Sequence, residues 1–382
     1  MGTTQDEFLT RARKLHERAI VIDTHCDTTQ RLADHDWDFI QRHGSGHVDL
    51  PRLREGGVDA AFFAVWAKAP VVGGEGIKTA REQILRIHRL VERHSAQLAL
   101  CRSADEVRQA GTKGQFALLI AIEGGYLIED SLDVLGDYHQ LGATYLTLTH
   151  AFHTSWADSS GIDEPLTPRH GGLAPFGREV VAELNRLGMM VDVSHAGDDT
   201  VRDVIETSTA PVIATHSSCR SVSGHRRNLS DELMTAIADA GGVIQINFAA
   251  NFIDPNFPQI APEVFQRWMD AGFPSGKLSD HVTPLSVLAD HFDHALEIVG
   301  PDHVGIGSDF DGVPQLPVGM EDCSKLPHLT AELLRRGHAE DVLVKVLGAN
   351  TLRVMEACEK VARPKRGQSN VDESTSPGPT HE

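Results

Sequence analysis

The chain has 382 residues, 41% hydrophobic and 5% aromatic, enough to bury a large core as one big domain or two ordinary ones. With 54 acidic against 35 basic residues its formal charge is −19, which opposes nonspecific nucleic-acid binding and attachment to anionic membranes. Cys26, Cys101, Cys219, Cys323 and Cys358 are scattered without a C-x-x-C pair, which argues against a disulfide framework and for a reducing compartment.

Residues 1–18 read as a peripheral helix without the apolar core of a signal peptide, and no apolar run is long enough to span a bilayer. A cytoplasmic protein is expected. The first strand is predicted at 19–27, an apolar run that ends abruptly in His25, Cys26 and Asp27. Alternation puts His25 and Asp27 on one face and Cys26 on the other. A polar loop, 28–57, follows. A second strand spans 58–66. Helices follow at 76–96, with Ile84, Leu85, Ile87 and Leu90 at helical spacing, and at 104–110.

Strand three, 116–123, ends in Glu123 before two glycines. Beyond a helix at 132–141, strand four, 144–150, ends in His150. A Gly/Pro/Ser-rich loop covers 151–175. After a helix at 176–187, strand five, 189–195, ends in His195. A helix at 199–207 leads to strand six, 211–216, which ends in His216. The next loop carries Arg220, His225, Arg226 and Arg227, and Ser230 caps a helix to about Ala240. Strand seven is 242–248. A long insertion, 249–282, separates it from a helix at 285–299 and from strand eight, 303–309, which ends in Asp309. Helices at 328–336 and 340–359 close the fold. The polar tail from 362 is expected to be disordered, leaving 1–361 as a single domain.

Eight strands, most followed by a helix, predict an α/β chain folded as a (β/α)8 TIM barrel with loop insertions. A doubly wound open sheet ranks second. No G-x-G-x-x-G follows the first strand, and Gly73-Gly74-Glu75-Gly76 lacks that spacing.

His-x-Asp alone is a weak signal. It occurs at His25/Asp27, His47/Asp49 and His291/Asp293, and only the first ends an apolar strand. The joint pattern is stronger, because six of the eight predicted strand ends carry a metal-type or acid/base group. In a barrel all of them converge on one rim, where uncompensated charge is costly and metal ions relieve it. Four histidines and three carboxylates exceed the needs of one ion. The residues predict His25, Asp27 and Glu123 on one ion, and Glu123, His195 and His216 on a second, with Glu123 bridging. A water shared by both would lose a proton near neutral pH and attack a carbonyl.

Thr24-His-Cys-Asp27, Ile122-Glu-Gly-Gly125, Leu148-Thr-His150, Asp192-Val-Ser-His195, Thr215-His-Ser-Ser218, Arg226-Arg-Asn228 and Gly307-Ser-Asp-Phe-Asp-Gly-Val-Pro314 occur in order. With these motifs the chain, over roughly 19–360, resembles the renal (membrane) dipeptidase family of metallopeptidases in the amidohydrolase superfamily.

The resemblance implies a dipeptidase with two Zn2+ per chain held by His25, Asp27, Glu123, His195 and His216, Glu123 matching the bridge. His150 matches the residue that contacts the substrate carbonyl and stabilises the oxyanion. Arg227, with Arg226 beside it, matches the group that holds the dipeptide's terminal carboxylate. Asp309 matches the acid/base that takes the water proton and returns it to the leaving amine. These roles agree with the chemistry of a planar cationic fork and a carboxylate near two cations. The resemblance also implies a small peptide as substrate, tolerance of a C-terminal D-residue and a homodimer. The animal enzymes' secretory leader, disulfides and lipid anchor have no counterpart here. Alternatives from the site chemistry are N-acyl amino acid deacylation, lactone or phosphoester hydrolysis, and a non-catalytic zinc-binding protein.

Overall fold

A computed structural model describes residues 2–34, 37–68, 73–162, 165–261, 263, 264, 267, 268, 271 and 279–362. Its strands are β1 (Ile22–Cys26), β2 (Ala60–Val65), β3 (Leu98–Leu100), β4 (Phe116–Glu123), β5 (Ala143–Thr147), β6 (Met190–Asp192), β7 (Ile213–Ala214), β8 (Val243–Ile246) and β9 (Val304–Ile306). All pair in parallel, in the order β1-β2-β4-β5-β6-β7-β8-β9. The ends of that path meet. Asp27 N–H donates to Phe310 O at 2.8 Å, and Asp309 N–H donates to His25 O at 3.0 Å. The sheet therefore curls into the (β/α)8 barrel that the alternation predicts.

Side-chain alternation divides the core. Phe116, Leu118, Ile120 and Ile122 of β4 join the large cluster that packs against the helices. Ala117, Leu119 and Ala121 point the other way, with Phe62, Tyr145, Met190, Ile213 and Val243, and fill the barrel. Glu123 continues this inward series. Its carboxylate therefore enters the barrel mouth because of its position in a period-2 pattern.

Two expectations about strands are corrected. The short strand β3 was not foreseen. It pairs with Phe116–Leu118 of β4, ahead of the stretch from Ile120 where β5 begins to pair, so it covers an edge that the shorter β5 leaves open. The strands also stop before most of the residues expected to end them. Glu123 is the last residue of β4, but β5 ends at Thr147, β6 at Asp192, β7 at Ala214 and β9 at Ile306. His195 and Asp309 adopt φ of 65° and 64°, left-handed values that cannot continue a strand.

Most helices fall close to expectation, but the stretch 28–57 expected as a loop holds a 3-10 turn, Thr28–Ala33, and a helix, Leu50–Glu55, and the helix expected over 340–359 is interrupted at Gly348. Leu285–Val299 matches its predicted span, and Ser230 caps Asp231–Asp239 by accepting from Leu233 N–H. A four-residue helix, Ala250–Ile253, opens the insertion after β8, much of which lies outside the described residues. The stretch expected to be a disordered tail, 362–382, lies outside the described residues except for Ala362. The five cysteines are buried free thiols. Among the described residues no helix is long and apolar enough to cross a membrane.

Candidate metal centre

The rim residues gather around Glu123, which is 2% exposed. Its Oε2 lies 3.4 Å from His25 Nε2. Its Oε1 lies 3.2 Å from His195 Nε2, 3.5 Å from His216 Nε2 and 3.7 Å from His150 Nε2. Asp27 Oδ1 is 3.9 Å from His25 Nε2. Among the described residues three groups result, each with ligand atoms within 4.8 Å of one another: His25, Glu123 and His216; Glu123, His150 and His195; His25, Asp27 and Asp309. Seven residues spread over nearly 300 positions thus share one pocket, as convergence of strand ends requires.

Local structure fixes the orientations. Tyr145, inward-facing on β5, spends its hydroxyl proton on Thr24 O at 3.0 Å, so its oxygen accepts from His25 Nδ1–H at 2.8 Å. That leaves His25 Nε2 facing Glu123. Asn247, just past β8, donates to Asp309 Oδ2 at 2.8 Å and accepts from Ala249 N–H at 2.6 Å. Gly312 is required by crowding, because a Cβ there would lie 1.9 Å from Asp27 Oδ2 and 2.5 Å from Asp309 Oδ1.

Burial works against every charge in the pocket. For His25 the surrounding Glu123, Asp27 and Asp309 outweigh burial and raise its pKa to about 10. Burial, reinforced by nearby Arg227, holds His195 and His216 well below the ordinary imidazole range, and burial also lowers His150. Burial raises Asp309 and, helped by Glu123, raises Asp27. Glu123 goes the other way. Despite burial, His25 and His150 keep its carboxylate well below its usual range. The arrangement is an ionised Glu123 beside a cationic His25 and three imidazoles, His150, His195 and His216, held in the neutral form in which imidazole binds a metal; an ion there would displace the His25 proton.

Among the described residues, His25 Nε2, Asp27 Oδ1, Glu123 Oε2 and His216 Nε2 are buried without a hydrogen-bond partner. Unsatisfied buried polar atoms are costly, and several in one pocket call for a shared partner. Imidazole nitrogens and carboxylate oxygens fit zinc and similar divalent cations.

Arg227 is 3% exposed, and its Nη2–H donates to His216 O at 3.2 Å. Its guanidinium carbon stands 5.7 Å from the Phe252 ring centre. Burial lowers its pKa to about 10, so it stays cationic at neutral pH. Arg226 is partly exposed and makes no ion pair among the described residues. Asn247 and Tyr145 were not foreseen. Neither titrates near neutrality, but both occupy strand-end or inward positions that the barrel rule brings to the rim.

Fold and site together define a TIM-barrel metal-dependent hydrolase. The model for membrane dipeptidase, peptidase family M19, matches residues 9–369. The chain belongs to that family. It is 37% identical over 326 residues to Dipeptidase verJ of Clonostachys rogersoniana, covering 83% of this chain and 77% of the relative. It is similar to the crystal structure of the probable dipeptidase PvdM from Pseudomonas aeruginosa, with a TM-score of 0.81 and 26% identity over 94% of this chain and 100% of that one. A metallopeptidase from Rhodobacter sphaeroides, liganded with a phosphinate mimic of L-Ala-D-Ala, is 28% identical with a TM-score of 0.77, covering 89% of this chain and 99% of that one. The chain is accordingly a metallodipeptidase, a metal-dependent hydrolase of peptide substrates.

Proposed function

We propose that the chain is a binuclear zinc dipeptidase acting on dipeptides with a free C-terminal carboxylate, L,D as well as L,L, and that residues 1–361 form its single catalytic domain. The observation that carries this reading is the division around Glu123. One carboxylate oxygen faces His25 and the other faces His195 and His216. His25, Asp27 and Glu123 would hold one ion, and Glu123, His195 and His216 the other. Zinc bound there lowers the pKa of water and polarises a carbonyl.

The chain's own residues do the rest. Arg227 offers its planar fork to the terminal carboxylate, and its burial strengthens that attraction. His150, with 19% of its side chain exposed, reaches the open side of the pocket and donates an N–H to the carbonyl oxygen as negative charge develops there. Asp309, raised by burial, accepts the proton from the attacking water and passes it to the leaving amine. The Rhodobacter sphaeroides relative, bound to a mimic of L-Ala-D-Ala, supports the acceptance of L,D dipeptides.

A dipeptide library, L,L and L,D, assayed on zinc-loaded and chelated protein tests the reading. Hydrolysis of both sets that disappears on chelation is expected. Turnover that survives complete metal removal would refute it.

A further inference from the structure

Asp192 takes no part in the roles above, yet it is a fully buried carboxylate one shell behind them. It lies at the end of β6 and draws four donors from three strand ends. Oδ1 accepts from Ser194 N–H at 3.0 Å and Thr215 N–H at 2.9 Å. Oδ2 accepts from the Thr147 hydroxyl at 2.6 Å and the Thr215 hydroxyl at 2.7 Å.

Thr215 has one hydroxyl proton to give. Its closest acceptor is this carboxylate, and charge-assisted bonds of that kind are the strong ones. The second contact of the same oxygen, His216 Nδ1 at 2.9 Å, is therefore one in which Thr215 accepts. Nδ1 must carry the imidazole proton, and Nε2 keeps its lone pair. That lone pair is on the atom 3.5 Å from Glu123 Oε1. The backbone is fixed as well, because His216 N–H donates to the Ser194 hydroxyl at 2.9 Å.

We propose that Asp192 and Thr215 are positioning residues that lock His216 in the Nδ1–H tautomer and present its Nε2 to a divalent cation. The Asp192–Thr215–His216 chain does through one hydroxyl what a carboxylate bonded directly to a ligating imidazole does elsewhere. It serves His216 rather than His195, whose Nδ1 has no hydrogen-bond partner among the described residues. The inference rests on the reading of His216 as a metal ligand.

Zinc affinity, measured by competition with a chromophoric chelator, tests it without reference to turnover. Thr215→Val keeps the shape and removes the hydroxyl. It is expected to weaken one zinc site by about 10–100-fold, and Thr215→Ser to restore near wild-type affinity. His216→Ala separates the two ideas. If it binds zinc as wild type does, the ligand reading fails. If it loses zinc while Thr215→Val does not, the positioning role alone is overturned. Histidine 15N shifts of the metal-free wild type cover the case in which Thr215→Val does not fold. A protonated Nδ1 on His216 is expected, and a protonated Nε2 overturns the proposal.

Discussion

Arg227 and Asp309 both sit at the pocket yet should fail in different ways when changed. Arg227 holds a part of the substrate that does not react, so Arg227→Ala is expected to raise KM by about 10–100-fold, the worth of a hydrogen bond to a charged group, with a smaller change in kcat. Asp309 moves a proton in the transition state, so Asp309→Asn is expected to lower kcat by about 100–10,000-fold with KM little changed. Steady-state kinetics on one dipeptide checks both. Full turnover in Asp309→Asn contradicts the acid/base assignment. An unchanged KM in Arg227→Ala contradicts the carboxylate contact.

At the level of elements, two buried histidines outside the pocket tie helices to neighbouring loops and helices in their neutral form. His16, at the end of the helix Gly2–His16, donates from Nδ1 to Gly56 O at 2.8 Å, and its Nε2 accepts from the Thr330 hydroxyl at 2.8 Å. His291, on Leu285–Val299, accepts from Cys219 N–H at Nδ1, 3.0 Å, and donates from Nε2 to Ile253 O at 2.9 Å. His291 uses Nδ1 as an acceptor from a backbone N–H, so its protonation would break that bond, whereas the Thr330 hydroxyl can turn to accept from a protonated His16. Burial lowers both pKa values to about 4. The unfolded chain binds those protons near pH 6.5, before the folded one does. Their contribution is thus complete above about pH 6.5 and is lost as pH falls to about 4, on the order of 3 kcal/mol for each. Urea midpoints measured between pH 7 and pH 4.5 should fall. His291→Gln, which can still accept and donate, should flatten the slope, and an unchanged slope contradicts this assignment.

Much of the molecule's plan was legible because it depends on periodicity. The eight barrel strands were visible as apolar runs, and the rim position of Glu123 followed from alternation along β4. Apart from β4, which spans the predicted 116–123, the strand boundaries were not legible. His195 and Asp309 turn into left-handed backbone through contacts that form only in the folded chain. The strand β3 has three residues, none β-branched, too few to show a period. The ionisable rim residues stood out by their chemistry. Asn247, Tyr145 and Thr215 did not, because ordinary polar residues declare a role only once their partners are in place. The net charge of −19 marks the solvated surface and leaves no trace of the buried guanidinium of Arg227 at the pocket.

The division of ligands around Glu123 is tested most directly by zinc-edge anomalous diffraction from crystals of the zinc-loaded protein. Two peaks about 3.5–4 Å apart are expected, both bonded to Glu123, one also to His25 and the other also to His195 and His216. A single fully occupied peak, or a pair that Glu123 does not join, contradicts the two-ion site.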